Sequence, residues 1–268
     1  MLRARISGMD IAYEDRGQGP ALVLLHGFVS DHRNWQPQID GLSDRFRVIV
    51  PDLPGCGLSA DPPKTWRFPE YADWLADFLE AVGASPAHVA GLSWGAVLAQ
   101  ELYRRHPRLI DSLILAGGYA GWGPSLGWDV AKERLERCLR LSYAAPSELS
   151  AAMIGGMFSP AAPRDVVEQE AVIISQTHPS GFRTMSRAVA EVDTTEISRV
   201  IDVPTLLVWG EQDQRSPVFV AEAFRQGISG SRLVLIPGGH ICNMESPDAF
   251  NRALIDFLAT ASPAVATG

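Results

Sequence analysis

Cysteine is scarce in this 268-residue chain, and long apolar runs are missing from it. The three cysteines, Cys56, Cys138 and Cys242, are odd in number and do not have the spacing of metal ligands, so we expect a reducing compartment and no disulfide framework. The apolar run Ala21–Leu25 is far too short to span a bilayer, and the first residues lack the apolar segment of a signal peptide. These features predict a cytoplasmic protein without membrane contact.

Lysine is rarer still, because Lys64 and Lys132 are the only lysines and arginine supplies nearly all the positive charge. The net charge of −8 gives the chain no attraction to nucleic acid or to anionic membranes. The hydrophobic fraction of 46% is enough for a sizeable core, in one large domain or a domain with an inserted subdomain. We therefore expect a small-molecule partner, and both a monomer and a homodimer stay open.

Short apolar runs alternate with amphipathic stretches in the first half of the chain. The later runs are almost continuously apolar, which is typical of parallel strands buried on both faces. Between them, apolar residues recur at helical spacing from Tyr71 to Val82, and Gly83 ends that helix. The alternation predicts a doubly wound α/β sheet. The strand candidates are Ile11–Glu14, Leu22–Leu25, Val48–Val50, His88–Ala90, Leu113–Leu115, Thr205–Trp209 and Leu233–Ile236.

The alternation stops after Leu115 and resumes at Thr205. In between, the pattern is helical, prolines interrupt it, and it contains no clear strand. A helical block placed between two strands of a parallel sheet is expected to lie as a cap over a functional site. We therefore predict a core of residues 1–118 and 201–260, a helical cap of residues 119–200, and a disordered low-complexity tail of residues 261–268.

Ser93 lies at the centre of Gly91-Leu92-Ser93-Trp94-Gly95, directly after the strand candidate His88–Ala90. A sharp turn from strand to helix holds a serine hydroxyl out from the backbone, where it can attack a carbonyl carbon. Glycines are needed on both sides because a Cβ there would collide with the neighbouring chain. An ordinary glycine-rich turn can show the same pattern, so a base and an acid have to be found elsewhere in the chain.

His240 is the candidate base, and Asp213 is the candidate acid. Open α/β sheets place their sites beyond the carboxyl ends of the strands. His240 closely follows Leu233–Ile236, and Asp213 closely follows Thr205–Trp209. A carboxylate there would accept the imidazole N–H and stabilise the imidazolium. Glu211, on the same loop, is the alternative acid, and His240 could instead be a loop histidine that caps the following helix.

Two backbone amides are expected to stabilise the oxyanion that forms in such an attack. One is the N–H of Trp94, the residue after the serine. The other is the N–H of Phe28, in the loop His26-Gly27-Phe28 that follows an earlier strand. We interpret His26 as a structural residue of a tight turn and not as a base.

The chain resembles the α/β-hydrolase fold superfamily over residues 8–260, through five motifs that match in order and approximate spacing. The order Ser93, Asp213, His240 is also the order found in that superfamily. The resemblance implies an eight-stranded, mostly parallel sheet with a helical cap inserted after strand 6. It also implies a structural turn over residues 52–59, where this chain has Cys56 at a position that often carries histidine or phenylalanine. The motifs are His26-Gly27-Phe28, Asp52-Leu53-Pro54-Gly55-Cys56-Gly57-Leu58-Ser59, Gly91-Leu92-Ser93-Trp94-Gly95, Gly210-Glu211-Gln212-Asp213 and Gly239-His240.

These residues together predict a serine hydrolase. We expect it to cleave a small or medium, mostly apolar carboxylic ester or lactone through an acyl-enzyme, with no metal or cofactor. Apolar residues of the cap should form a mostly apolar pocket together with Phe28 and Trp94. The predicted pocket residues are Gly27, Trp122, Trp128, Met153, Met157 and Phe158.

Several related functions stay open. Gly91-Leu92-Ser93 and the segment Phe158-Ser159-Pro160 are similar to enol-lactonases of aromatic degradation, whereas His26-Gly27-Phe28 is more similar to general esterases and cofactor-free haloperoxidases. A perhydrolase, a C–C bond hydrolase and a ligand receptor that kept the triad are further alternatives. Ser93 excludes the aspartate nucleophile of dehalogenases and epoxide hydrolases.

Overall fold

A single eight-stranded sheet organises residues 1–261, which are the residues that the computed structural model describes. The strands are β1 (Leu2–Ile6), β2 (Met9–Arg16), β3 (Ala21–Leu25), β4 (Arg47–Pro51), β5 (Ala87–Leu92), β6 (Ile110–Ala116), β7 (Thr205–Gly210) and β8 (Arg232–Ile236). Their order across the sheet is β1-β2-β4-β3-β5-β6-β7-β8. β2 runs antiparallel to both of its neighbours, and every pairing from β4 to β8 is parallel.

Each of the seven strand candidates lies inside an observed strand, and β1 is the strand that the sequence pattern missed. β1 is an edge strand with arginines at positions 3 and 5, and only Ile6 is buried. An edge strand that is mostly solvated does not need an apolar run, so it leaves no such signal in the sequence. The central strand β5 is the opposite case, because all six of its residues are buried.

Eleven α-helices accompany the sheet within the described residues. They are α1 (Gln36–Leu42), α2 (Phe68–Ala81), α3 (Trp94–Arg105), α4 (Trp122–Leu126), α5 (Trp128–Leu141), α6 (Pro146–Ile154), α7 (Arg164–Ser175), α8 (Pro179–Glu191), α9 (Val218–Gly227), α10 (Cys242–Glu245) and α11 (Pro247–Ala261). α3 packs against β5 and α2, while α11 packs against β7 and α1. The predicted doubly wound, mostly parallel α/β sheet is therefore confirmed.

Helix α2 ends where the sequence predicts. Its last residue is Ala81, and Gly83 follows with φ +62°, a left-handed backbone that glycine adopts without strain. On its buried face, Tyr71 and Trp74 are part of the hydrophobic core. Apolar residues recur every three to four positions along this face, and their burial holds the helix against the sheet.

Five helices, α4 to α8, occupy the chain between β6 and β7, and we call them the insert helices. They pack on one another, with α5 against α4 and α8, and α6 against α7. That they form a separate cap with boundaries at residues 119 and 200 stays a prediction. The predicted tail, residues 261–268, lies outside the described residues except for Ala261, which is the last residue of α11. None of the helices in residues 1–261 combines the length and the apolar character needed to cross a membrane.

Candidate active site

Ser93 forms the turn between β5 and α3, with φ +55° and ψ −111°. Few residues with a side chain adopt this backbone, and it has to be held by its surroundings. The flanking glycines allow it: a Cβ at Gly91 would collide with the carbonyl oxygen of Gly95, and a Cβ at Gly95 with that of Leu25. The amide of Ser93 also donates to the carbonyl of Ala116, at 2.8 Å. The turn is therefore hydrogen-bonded to the end of β6 and packed closely against the end of β3.

A continuous series of hydrogen bonds joins Ser93, His240 and Asp213. Oγ of Ser93 lies 2.9 Å from Nε2 of His240, and Nδ1 of His240 lies 2.8 Å from Oδ2 of Asp213. The three residues are 8%, 4% and 6% exposed, respectively. The other carboxylate oxygen of Asp213 accepts the amides of Arg215 and Ser216, both at 2.8 Å. Since an ionised carboxylate can only accept, the network assigns the proton on Nδ1 and leaves Nε2 as an acceptor facing Ser93.

The loop that carries His240 is held by the segment after α6. The amide of His240 donates to the carbonyl of Met157 at 2.8 Å. The carboxylate of Glu245 accepts the amide of Gly239 at 2.7 Å and the hydroxyl of Ser159 at 2.6 Å. Glu211, the alternative acid, is exposed, and the side chain that reaches the imidazole is that of Asp213.

His26 orients the loop that carries Phe28. Nδ1 of His26 donates to the carbonyl of Gly27 at 2.8 Å, while Nε2 accepts the amide of Leu53 at 3.0 Å. Complete burial lowers the pKa of His26, so the ring stays neutral and can play both roles. The peptide between Gly27 and Phe28 is a trans plane, so the N–H of Phe28 points away from His26. Within residues 1–261, neither this N–H nor that of Trp94 has an acceptor.

A cavity of about 220 Å³ lies beside Ser93 and His240. Four predicted pocket residues line it, namely Gly27, Trp122, Met153 and Met157, as do Phe28 and Trp94. Trp128 and Phe158, the other two predicted pocket residues, are not among the residues that line it. Trp128 is the first residue of α5, packs over Gly123 and is 59% exposed, while Phe158 packs against the hydrophobic core.

A sequence profile for the alpha/beta hydrolase fold matches residues 20–247. The chain belongs to the alpha/beta hydrolase fold family. The resemblance seen in the sequence motifs is thereby confirmed, including the eight-stranded sheet that it implies.

Relatives of this alpha/beta hydrolase carry several different names. A putative carbamate hydrolase, RutD, of Azorhizobium caulinodans is 29% identical over 92% of this chain and 94% of its own. The 3-oxoadipate enol-lactonase 2 of Acinetobacter baylyi is 26% identical over 93% and 94%. The structure of a thermophilic esterase from Thermogutta terrifontis, with malate bound, superposes with a TM-score of 0.91 at 29% identity, over 98% of this chain and all of the other. The names refer to different bonds, so the substrate has to be argued from the site.

Three arginines that the sequence analysis did not assign to the pocket line the cavity of this alpha/beta hydrolase: Arg134, Arg137 and Arg215. Glu170 of α7 also lines it, is 1% exposed and accepts the side-chain amide of Asn34 at 3.1 Å. Burial raises the pKa of Glu170 to about 7. The only feature of the sequence that indicated any of these lining residues was the position of Arg215, two places after Asp213. The charged residues of α5 look like a solvated helix face in the sequence.

One cluster of possible metal ligands lies outside this cavity. Asp31, His32 and Asp52 bring their ligating atoms within 4.8 Å of one another. The oxygens of Asp52 already accept the amide and ring nitrogen of His32, at 2.9 and 2.7 Å, and the amide of Leu58, at 2.8 Å. Burial alone would raise the pKa of Asp52, but the bonds from His32 outweigh it and hold this pKa below its usual range. We interpret the cluster as a brace for the turn over residues 52–59.

Proposed function

We propose that this alpha/beta hydrolase cleaves a small carboxylic ester or lactone through an acyl-enzyme on Ser93. The observation that carries the proposal is the series of hydrogen bonds from Ser93 through His240 to Asp213, at 2.9 and 2.8 Å, beside a cavity. A serine hydroxyl becomes nucleophilic when an imidazole can take its proton and a carboxylate holds that imidazole in the required tautomer.

In the first step, Nε2 of His240 takes the proton of Ser93 as Oγ attacks the substrate carbonyl carbon. The imidazolium that forms is stabilised by Asp213, whose second oxygen is already occupied by two backbone amides. The carboxylate therefore keeps its position while the charge on the ring changes. His240 then passes the proton to the leaving alcohol as the carbon–oxygen bond breaks, which leaves the acyl group on Ser93.

The negative charge on the carbonyl oxygen needs donors during this step. The amides of Phe28 and Trp94 belong to residues that line the cavity with Ser93, and neither has an acceptor within residues 1–261. Donors that are already oriented and free of other partners stabilise the oxyanion without rearrangement. Water activated by His240 then hydrolyses the acyl-enzyme, and Oγ of Ser93 recovers its proton.

The size of the cavity supports a small substrate. Its volume of about 220 Å³ is below the roughly 300 to 1,000 Å³ that pockets for drug-sized ligands usually have. The names of an esterase and an enol-lactonase among the relatives support an ester or lactone bond. A carbamate could react by the same steps, and the name of another relative makes it the next substrate to test.

Wild-type protein and Ser93→Ala should be compared on p-nitrophenyl esters of increasing chain length, with a lactone and an aryl carbamate alongside. We expect turnover to be highest with short acyl chains and to fall on the order of 10⁴- to 10⁶-fold in Ser93→Ala. A fluorophosphonate probe should label wild type, and peptide mapping should place the label on Ser93.

Activity of Ser93→Ala within tenfold of wild type would rule out this mechanism. So would a label on Ser30, a serine that lines the same cavity and whose hydroxyl makes no hydrogen bond to a histidine within residues 1–261. Turnover of the carbamate alone would keep the mechanism and change the bond. Folded protein that neither reacts with the probe nor turns over any substrate would favour a ligand receptor.

A further inference from the structure

Three arginines of the cavity lack acidic partners. Arg134, Arg137 and Arg215, which we call the arginine cluster, line the same cavity as Ser93 and His240. Within residues 1–261, no carboxylate oxygen lies within 4.0 Å of their guanidinium nitrogens. Most of the other arginines in residues 1–261 do form an ion pair with a carboxylate. Arg47, for example, pairs with Asp15 at 2.7 Å. Glu170 lines the same cavity, but its carboxyl group bonds to Asn34, so no ion pair within residues 1–261 neutralises the arginine cluster.

Arg215 shows most clearly that the arginine cluster lacks acidic partners within residues 1–261. One of its terminal nitrogens donates to the carbonyls of Met153 and Gly155, the latter at 3.0 Å. Its Nε is buried and has no hydrogen-bond partner. Burial lowers the pKa of Arg215, and the neighbouring charges of Arg134 and Arg137 act in the same direction. A buried guanidinium donor without a partner destabilises the folded protein unless a ligand satisfies it.

Arg134 and Arg137 are three residues apart on α5, so they lie on neighbouring positions of one helix face. Arg134 makes two long hydrogen bonds, to the hydroxyl of Tyr119 at 3.4 Å and to the carbonyl of Arg215 at 3.2 Å. Its guanidinium carbon also lies 5.9 Å from the ring centre of Trp122. Aromatic rings attract the charge but leave the N–H donors in the plane of the guanidinium available.

Part of the cluster has a structural role. Arg137 donates to the carbonyl of Ala152 at 2.7 Å, and Arg215 binds the carbonyls of Met153 and Gly155, all at the C-terminal end of α6. Cations are favourable at such an end. Each guanidinium has five N–H donors, however, so these carbonyls use only a minority of the fifteen or so in the cluster.

We infer that the arginine cluster binds a carboxylate of the substrate, so that the ester or lactone attacked by Ser93 carries a second, free carboxylate group. The attack on that substrate rests on the proposed function, whereas the binding of the anion does not. The planar fork of arginine matches a carboxylate in a bidentate geometry. The protein as a whole carries a charge of −8, so this cavity is a local exception that attracts a small anion at close range. The substrate class is a half-ester of a small dicarboxylic acid, or a lactone bearing a carboxylate.

The binding step can be tested without turnover. Ser93→Ala protein should be titrated calorimetrically near neutral pH with monomethyl glutarate and, separately, with dimethyl glutarate, which has the same carbon chain without the charge. We expect the half-ester to bind at least about tenfold more tightly, as charge-assisted hydrogen bonds allow. Adding Arg134→Met should remove most of this preference, and Arg134→Lys should keep part of it.

Arg140→Met is the matched control, because Arg140 is an exposed residue of the same helix that does not line the cavity. It should leave the preference for the half-ester unchanged. If the half-ester does not bind more tightly than the diester, including the case in which neither binds, the inference is wrong. It is equally wrong if Arg134→Met and Arg140→Met have the same effect.

Hydrolysis by wild-type protein separates this inference from the proposed function. Ser93-dependent hydrolysis of the diester, without preference for the half-ester in kcat/KM or in binding, would overturn the anion site and keep the serine mechanism. Preferential binding of the half-ester to Ser93→Ala, with no hydrolysis of either ester by wild type, would keep the anion site and count against the proposed function.

Discussion

His26 holds the carbonyl of Gly27 at 2.8 Å and thereby turns the next amide away from its own ring. In our account that amide, the N–H of Phe28, stabilises the oxyanion. Replacing His26 should therefore lower kcat by roughly 10- to 100-fold with little change in KM, since the misplaced donor acts mainly in the transition state. Steady-state kinetics on a p-nitrophenyl ester measure both constants.

Two variants separate this positioning role from general stability. His26→Asn keeps an amide N–H near the position of Nδ1 and should retain more kcat than His26→Gln. His88 is a second buried histidine, bonded to Ser112 on the neighbouring strand, so His88→Gln should affect stability without a comparable loss of kcat. Equal losses of kcat in all three variants would contradict the role of His26.

Asp213 and Glu211 offer a direct comparison of two acids on one loop. Asp213→Asn should lower kcat on the order of 10⁴-fold, because an amide no longer fixes the tautomer of His240 or stabilises its charge. Glu211→Gln, at an exposed position two residues away, should stay within a few-fold of wild type. A larger loss in Glu211→Gln than in Asp213→Asn would mean that the acid has been assigned wrongly.

We expect the backbone conformation that positions the hydroxyl of Ser93 to destabilise the folded protein. At φ +55° and ψ −111°, a residue with a Cβ is strained, whereas glycine is not. Ser93→Gly should therefore melt roughly 2 to 4 °C above Ser93→Ala, which corresponds to about 1 kcal/mol. At Ser186, in the middle of α8, the glycine variant should melt below the alanine variant. The same order at both positions would contradict strain at Ser93.

Glu170 should make stability depend on pH. Its pKa in the folded protein is about 7, raised by burial from 4.5, so the folded state holds this proton more tightly than the unfolded state does. The stability that this group contributes is full below about pH 4.5 and is lost as the pH rises to about 7. Glu170→Gln removes the ionisation and should raise the free energy of unfolding above pH 7 by on the order of 3 kcal/mol, with little effect near pH 4.5.

Glu168→Gln is the control for this change, because Glu168 is an exposed residue of the same helix. Urea denaturation at several pH values would measure both variants. A difference between Glu170→Gln and wild type that does not grow with pH would contradict the raised pKa.

Much of the fold and part of the site could be predicted from the sequence. The buried strands have continuous apolar runs, and the rule that sites follow strand ends led to Asp213 and His240, which the structure brings together at 2.8 Å. β1 was missed because only Ile6 of that strand is buried. Apolar periodicity indicates burial, so it does not detect a strand that is mostly exposed to solvent.

The lining of the cavity could not be predicted in the same way. The sequence of α5 carries arginines at positions 134, 137 and 140, and only the packing of the insert helices decides that the first two line the cavity and the third does not. Trp128, on the same helix, has the apolar character expected of a pocket residue and is mostly exposed. Which side of an insert helix lines a site depends on contacts far away in the chain, and local composition does not record them.

The acyl-enzyme itself tests the central claim most directly. Wild-type protein should be mixed with p-nitrophenyl acetate, quenched in acid within the first turnover and digested for mass spectrometry. We predict a rapid burst of p-nitrophenol and one acetyl group on the peptide that contains Ser93, both missing from Ser93→Ala. Turnover that leaves Ser93 unmodified, or a burst that persists in Ser93→Ala, would contradict the account.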